Sequence, residues 1–253
     1  MLGLAVLLAV LGAVIGSFVS VVAHRVPRKE SFVAGRSKCP ECGAQIAAYD
    51  NIPIVSYLIL RGRCRHCGAR ISPRYPLVEL ALAILYPVTY LVLEPDAGDV
   101  ALGLVFVTML AIVTLTDLER RVIPNSVLIA GAIAGIAIAV PTDPDGIPER
   151  AIAAAAAGGF LLVVALAWSG GMGMGDVKLG AVMGLYLGRA VAPALVAAFA
   201  SGAFVGIALL LRHGAGARKQ AVPFGPFLAL GGVVGLLVGD EIVDWYLDAF
   251  FRD

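Results

Sequence analysis

Apolar residues in this chain fall into long runs separated by short polar stretches, a pattern that predicts helices near 1–23, 76–93, 100–117, 125–141, 151–168, 177–189, 191–211 and 224–243. Most runs are about 17 to 22 residues long, which is the length that carries an α-helix across the hydrocarbon of a bilayer. They imply an all-α polytopic membrane protein with about eight transmembrane helices. The sixth run is short, and the last mixes its apolar residues with Asp240, Glu241 and Asp244. Small residues four apart, at Gly12/Gly16, Gly131/Gly135, Gly180/Gly184, Gly184/Gly188 and Gly202/Gly206, predict where neighbouring helices approach closely in lipid. Trp168 and Trp245 lie near span ends and read as interfacial anchors.

Composition agrees with the pattern. Of the 253 residues, 60% are hydrophobic and 15% charged, and mean hydropathy is +0.92, so lipid is the main solvent. A net charge of +1 gives no general case for a nucleic-acid partner. The placement of charge is more informative than its sum. Ten of the 19 Lys and Arg residues lie between Arg25 and Arg74, which marks that loop as cytoplasmic by the positive-inside rule. Alternating sides from there puts Arg120, Arg121, Lys178, Arg212, Arg218 and Lys219 inside, leaving Arg150, Arg189 and Arg252 outside. The first span has no positive segment before it and is followed by His24, Arg25, Arg28 and Lys29. That is the reverse of a signal peptide and predicts a retained helix with its N-terminus outside.

Residues 24–75 form the one long connection and contain all four cysteines. They predict a small folded cytoplasmic domain between a first helix at 1–23 and a membrane domain at 76–253. Cys39-Pro40-Glu41-Cys42-Gly43 and Cys64-Arg65-His66-Cys67-Gly68 are two knuckles separated by the 21 residues from Gly43 to Arg63. Four thiolates so spaced suit a closed tetrahedral Zn2+ site, structural because it has no open position. The glycine after each second cysteine lets the backbone turn back toward the sulfurs. Two disulfides or four free thiols are the alternatives, and a reducing cytoplasm disfavours disulfides. His66 could replace one sulfur.

Two carboxylates stand out from those that merely end helices. Asp117 closes the third span, ahead of Leu118-Glu119-Arg120-Arg121-Val122-Ile123-Pro124-Asn125, and Asp176 follows Gly171-Met172-Gly173-Met174-Gly175 at the start of the sixth. Alternation places both at one membrane depth, where ionisable groups are costly and usually functional or paired. Facing each other, the two would hold one proton between them, so that one could activate a water while the other polarised a peptide carbonyl. The competing expectation is that each aspartate pairs with a nearby Arg or with Lys178. The glycine run does not follow a strand and has no βαβ context, so it is not a dinucleotide site.

These two aspartate segments resemble the motifs of type IV prepilin peptidases, the second being the Gly-x-Gly-Asp signature of intramembrane aspartic proteases. Also similar are Gly16-Ser17-Phe18, His24-Arg25-Val26-Pro27, the two knuckles with Tyr49-Asp50-Asn51-Ile52-Pro53 between them, Arg74-Tyr75-Pro76-Leu77-Val78-Glu79, and Pro223-Phe224-Gly225-Pro226-Phe227. The resemblance implies a multi-pass plasma-membrane enzyme with Asp117 and Asp176 as its catalytic residues. Its substrates would be prepilins or pseudopilins, cut on the cytoplasmic side after a glycine that ends a basic leader. For members with the cysteine loop it also implies N-methylation of the new terminus with S-adenosylmethionine, at residues the sequence does not identify. Ser20 departs from the family pattern, where an Asn is expected. A peptidase without methyltransferase activity and a non-enzymatic zinc-knuckle membrane scaffold are the alternatives.

Overall fold

The computed structural model describes residues 2–28, 30–31, 37–167, 172–213 and 222–251. Lys29, Arg36, Trp168, Gly171, Arg218, Lys219 and Arg252 lie outside the described residues. The chain divides into two compact units, Met1–Val92 and Leu93–Asp253.

The first unit contains α1 (Leu2–Arg25), a short α2 (Val55–Ile59) and α3 (Arg74–Leu93). Helix α1 meets α3 through the predicted pair of small residues: Gly12 abuts the backbone of Leu82, and a Cβ on Gly16 would lie 2.6 Å from the Cα of Glu79. Val19 and Leu82 are fully buried beside this crossing, whereas Leu2, Val6, Leu7 and Val10 point outward and stay exposed. An outer face of that kind suits hydrocarbon, since association in lipid depends on close backbone packing and gains nothing from hiding apolar side chains from water. Between α1 and α3 the chain is largely irregular, and among the described residues its only β pairing is two isolated bridges, Lys38–Gln45 and Arg63–Arg70.

The second unit contains α4 (Ala97–Arg120), α5 (Asn125–Thr142), α6 (Ile147–Ala167), α7 (Met174–Leu187), α8 (Val191–His213) and α9 (Gly225–Phe250). Asp96 caps α4 by accepting from the backbone N–H groups of Gly98 and Asp99. Helix α4 is the core element; its Phe106, Val107, Leu110 and Val113 are buried, and Phe106 stacks on Tyr186 of α7 with ring centroids 4.9 Å apart. The Tyr186 hydroxyl donates to the Gly131 carbonyl of α5 at 2.6 Å, which joins a third helix to this contact. Helix α6 packs along α7, where a Cβ on Gly184 would come within 2.5 Å of the Ala153 backbone, and Gly180 abuts Leu161. Gly202 of α8 meets Phe224 and Phe227, as small residues at a helix contact should. Gly206 does not follow the expectation: among the described residues nothing lies within 4 Å of where its Cβ would be.

Among the described residues, seven segments are long and apolar enough to cross a membrane, one of them the continuous stretch Met174–Arg212. The difference from eight predicted spans arises at Gly188. There α7 stops in a left-handed turn at φ 53°, and α8 begins after one 3-10 turn. With 14 residues α7 is only about 21 Å long at the usual helical rise, shorter than a bilayer's hydrocarbon. The polar side chains at the two ends nevertheless follow the predicted alternation. At one end Arg150 reaches Asp99, Asp143 and the Tyr186 carbonyl, and Arg189 reaches Asp240 and Asp244. The other end brings together the last turn of α4 and the first turns of α5, α7 and α9.

Candidate active site and metal centre

Helix α4 ends because Arg121 adopts a left-handed conformation, φ 55° and ψ 41°, with its N–H still donating to the Asp117 carbonyl. The chain then extends through Pro124 and re-enters helix at Asn125. Asp117 therefore occupies the last turn of α4 with its side chain directed into the bundle, and it is only 6% exposed. Its Oδ2 accepts from the backbone N–H of Gly225, the first residue of α9, at 2.8 Å. That N–H has no partner within its own helix because helix starts leave their first donors unsatisfied. A Cβ on Gly225 would lie 2.7 Å from the same oxygen, so the approach requires glycine.

Asp176 stands in the first turn of α7 and is 8% exposed. Its Oδ2 accepts from the Gly173 N–H at 3.0 Å, the side-chain-to-backbone half of a capping box, the reverse half being impossible because Gly173 has no side chain. The two motifs touch at two further points. Lys178 Nζ donates to Asn125 Oδ1 at 3.0 Å, and Gly175 packs against Ile123, where a Cβ would fall 3.0 Å from the Ile123 Cβ. The carboxylates of Asp117 and Asp176 are near enough to act on each other electrostatically. Among the described residues neither forms an ion pair; Lys178, the partner the competing expectation assigned to an aspartate, is engaged by Asn125. The arrangement is two buried carboxylates at one end of the bundle, each anchored by one backbone N–H at a helix start. Gly225 is a residue of this candidate site that motif reading left without a role. The signal available was a glycine followed by proline at the head of an apolar run, where the first N–H is free to serve another group.

The four cysteines also come together. The sulfurs of Cys39, Cys42, Cys64 and Cys67 all lie within 4.8 Å of one another, those of Cys39 and Cys67 3.8 Å apart, and none is in a disulfide. Zn–S bonds of about 2.3 Å at tetrahedral angles place sulfurs roughly 3.8 Å apart, so the cluster fits a metal of that kind. The knuckles are built alike. Gly43 donates to the Cys39 carbonyl and Gly68 to the Cys64 carbonyl, while the Cys39 and Cys64 N–H groups bond Ala44 and Ala69. Both glycines adopt positive φ, 68° and 71°, as the knuckle reading required. The backbone N–H groups of Cys67 and His66 lower the Cys64 thiol, while burial and the neighbouring sulfurs raise that of Cys67, as expected where close thiols share charge. His66 is not in the cluster. Arg65 leaves the second knuckle to form a two-pronged pair with Asp50 at 2.6 and 2.8 Å and stacks over Tyr49, tying the intervening segment to the cluster. Hydrogen bonding to Arg65 holds the Asp50 carboxyl below its ordinary value.

The bacterial peptidase A24 N-terminal domain model matches residues 10–93, and the type IV leader peptidase family model matches residues 104–211. A protein from Aeromonas hydrophila named prepilin leader peptidase/N-methyltransferase is 35% identical over 93% of this chain and 91% of its own. A Bacillus subtilis (strain 168) protein of the same name is 35% identical over 95% of this chain and 97% of its own. One from Myxococcus xanthus (strain DK1622) is 40% identical over 85% of this chain and 66% of its own. No solved structure matches.

Proposed function

From the premise that this chain belongs to the type IV leader peptidase family, we propose that Asp117 and Asp176 are the catalytic pair of a membrane aspartic endopeptidase. The enzyme removes the leader from prepilins or pseudopilins and N-methylates the terminus it exposes. What supports the pair is the contact between two motifs 59 positions apart: both aspartates are buried, neither forms an ion pair among the described residues, and each is fixed by a backbone N–H.

The chemistry then follows from acid–base roles. The ionised carboxylate removes a proton from a water, whose oxygen attacks the scissile carbonyl carbon. The protonated carboxyl donates a hydrogen bond to the carbonyl oxygen and steadies the charge that develops there. Collapse of the tetrahedral adduct breaks the C–N bond as the amine takes up a proton, and no acyl-enzyme forms. Glycines beside Asp176 leave room for an extended peptide backbone to approach.

Residues 24–75 form a domain whose Cys39, Cys42, Cys64 and Cys67 hold a structural Zn2+, in a segment too small to build an apolar core of its own. S-adenosylmethionine is the methyl donor. The concentration of basic residues between Arg25 and Arg74 supports a multi-pass plasma-membrane protein with that domain and both aspartates on the cytoplasmic face.

The test is cleavage of a prepilin-like peptide by purified wild type, Asp117→Asn and Asp176→Asn, each with a melting curve. Folded variants that do not cut support the pair. Cleavage near the wild-type rate by either assigns that residue a structural role and overturns the pair; no cleavage by folded wild type favours the scaffold reading.

A further inference from the structure

A cavity of about 810 Å³ in the first unit lies between the knuckle domain, the C-terminal end of α1 and the N-terminal end of α3. Its size falls within the range of about 300–1,000 Å³ usual for small-molecule sites. The peptidase chemistry uses none of its lining. Four of its lining residues are Lys or Arg and four are Asp or Glu. That balance disfavours a polyphosphate, which calls for an excess of positive charge, and suits a ligand bearing both signs.

One member of that lining is unusual. Glu79 is 8% exposed, stands on α3 against Gly16, and has no cationic partner among the described residues. Its Oε2 accepts from the N–H of Ile54 at 2.7 Å, and Ser17 also hydrogen-bonds the carboxylate. Ile54 sits at φ 62° and ψ −53° with Val55 N–H bonded to the Pro53 carbonyl at 2.6 Å. This is the rare positive-φ form of γ-turn, strained for any L-residue and more so for a β-branched one. Strain of this sort persists only where the surroundings enforce it, and it gathers at ligand clamps. Here the enforcing group is Glu79, which projects a carboxylate into a cavity far larger than its present contacts need.

We propose that this cavity is the methyl-donor site, with Glu79 as the carboxylate that faces the sulfonium of S-adenosylmethionine; the inference rests on the methyltransferase part of the proposed function. The basic side chains in the lining, such as Lys38 and Arg70, suit the donor's own carboxylate. In the transfer, the substrate amine nitrogen forms a bond to the methyl carbon as the carbon–sulfur bond breaks. The bonding pair stays on sulfur, which becomes a neutral thioether, and the methylammonium product gives one proton to water. Positive charge passes from sulfur to nitrogen, so a fixed carboxylate is complementary to both ends of the step.

The experiment is equilibrium binding of S-adenosylmethionine and of S-adenosylhomocysteine to the full-length, metal-loaded protein in detergent. Wild type, Glu79→Gln and the cavity-filling Ser20→Phe are compared, each checked by melting temperature and metal content. The expected result has three parts: wild type prefers the sulfonium to the neutral thioether, Glu79→Gln weakens the sulfonium at least tenfold while barely changing the thioether, and Ser20→Phe weakens both. Glutamine keeps an acceptor for the Ile54 N–H, and should it fail to fold, Ser20→Phe still decides. If wild type binds the donor but both variants bind it unchanged, the placement is wrong and the methyltransferase reading survives. If wild type binds neither compound, the methyltransferase reading falls and the site with it. Displacement of the donor by a basic leader peptide, with preference for that peptide, would reassign the cavity to leader recognition.

Discussion

Gly225→Ala tests the active-site geometry without touching either aspartate. The new methyl carbon would lie 2.7 Å from Asp117 Oδ2, 3.1 Å from its Cγ and 3.2 Å from its Cβ, where ordinary contact begins near 3.4 Å. The carboxylate or the head of α9 must therefore yield by about 0.7 Å, and the 2.8 Å bond from the Gly225 N–H lengthens or breaks. Misplacement of a catalytic group by about 1 Å costs on the order of a hundredfold in rate, so kcat/KM for a prepilin-like peptide should fall by about 10- to 100-fold. The clash should also cost about 1–3 kcal/mol of stability, so the rates are compared at a temperature where the melting curve shows the variant folded. Gly206→Ala, which adds a methyl on α8 with no described residue within 4 Å, serves as the control and should leave cleavage unchanged. Wild-type kcat/KM in Gly225→Ala would refute the anchoring of Asp117 by α9.

Two further outcomes follow from the packing and the knuckles. Gly184→Ala brings a methyl within 2.5 Å of the Ala153 backbone, which cannot rotate away, so α6 and α7 must separate; overpacking of this kind costs about 1–3 kcal/mol and should lower the melting temperature in detergent. Gly43→Ala and Gly68→Ala force a Cβ into left-handed backbone at about 1–2 kcal/mol each and should speed metal loss to a chelator, followed by metal content per chain, while cleavage by the second unit persists.

Much of this protein was legible without coordinates because lipid imposes simple rules. A spanning helix must satisfy its own backbone, so long apolar runs marked α1, α3, α4, α5, α6, α8 and α9 directly. The two-residue spacing inside each knuckle picked out the four cysteines that cluster, since it leaves the chain only one tight turn between sulfurs. Gly12, Gly16 and Gly184 announced their helix contacts for the equally simple reason that backbones in lipid approach closely only where side chains are absent.

Other features depended on which surfaces meet, and no local pattern encodes that. Gly206 has the same spacing as the packing glycines, yet no described residue lies within 4 Å of where its Cβ would be. That the apolar stretch Met174–Arg212 is interrupted at Gly188, leaving α7 only 14 residues long, was likewise visible only in the structure. Lys178 could have neutralised an aspartate, and its choice of Asn125 is set by the position of α5 against α7. The anchoring of Asp117 by Gly225, 108 residues away, and the strained Ile54 turn held by Glu79 are likewise contacts between distant segments. The sequence by itself determined the membrane class, the four cysteines that cluster and the candidate acids, because those follow from composition and local spacing. Which backbone N–H holds which carboxylate was decided by tertiary packing, since a hydrogen bond depends on tenths of an ångström that only the assembled helices define.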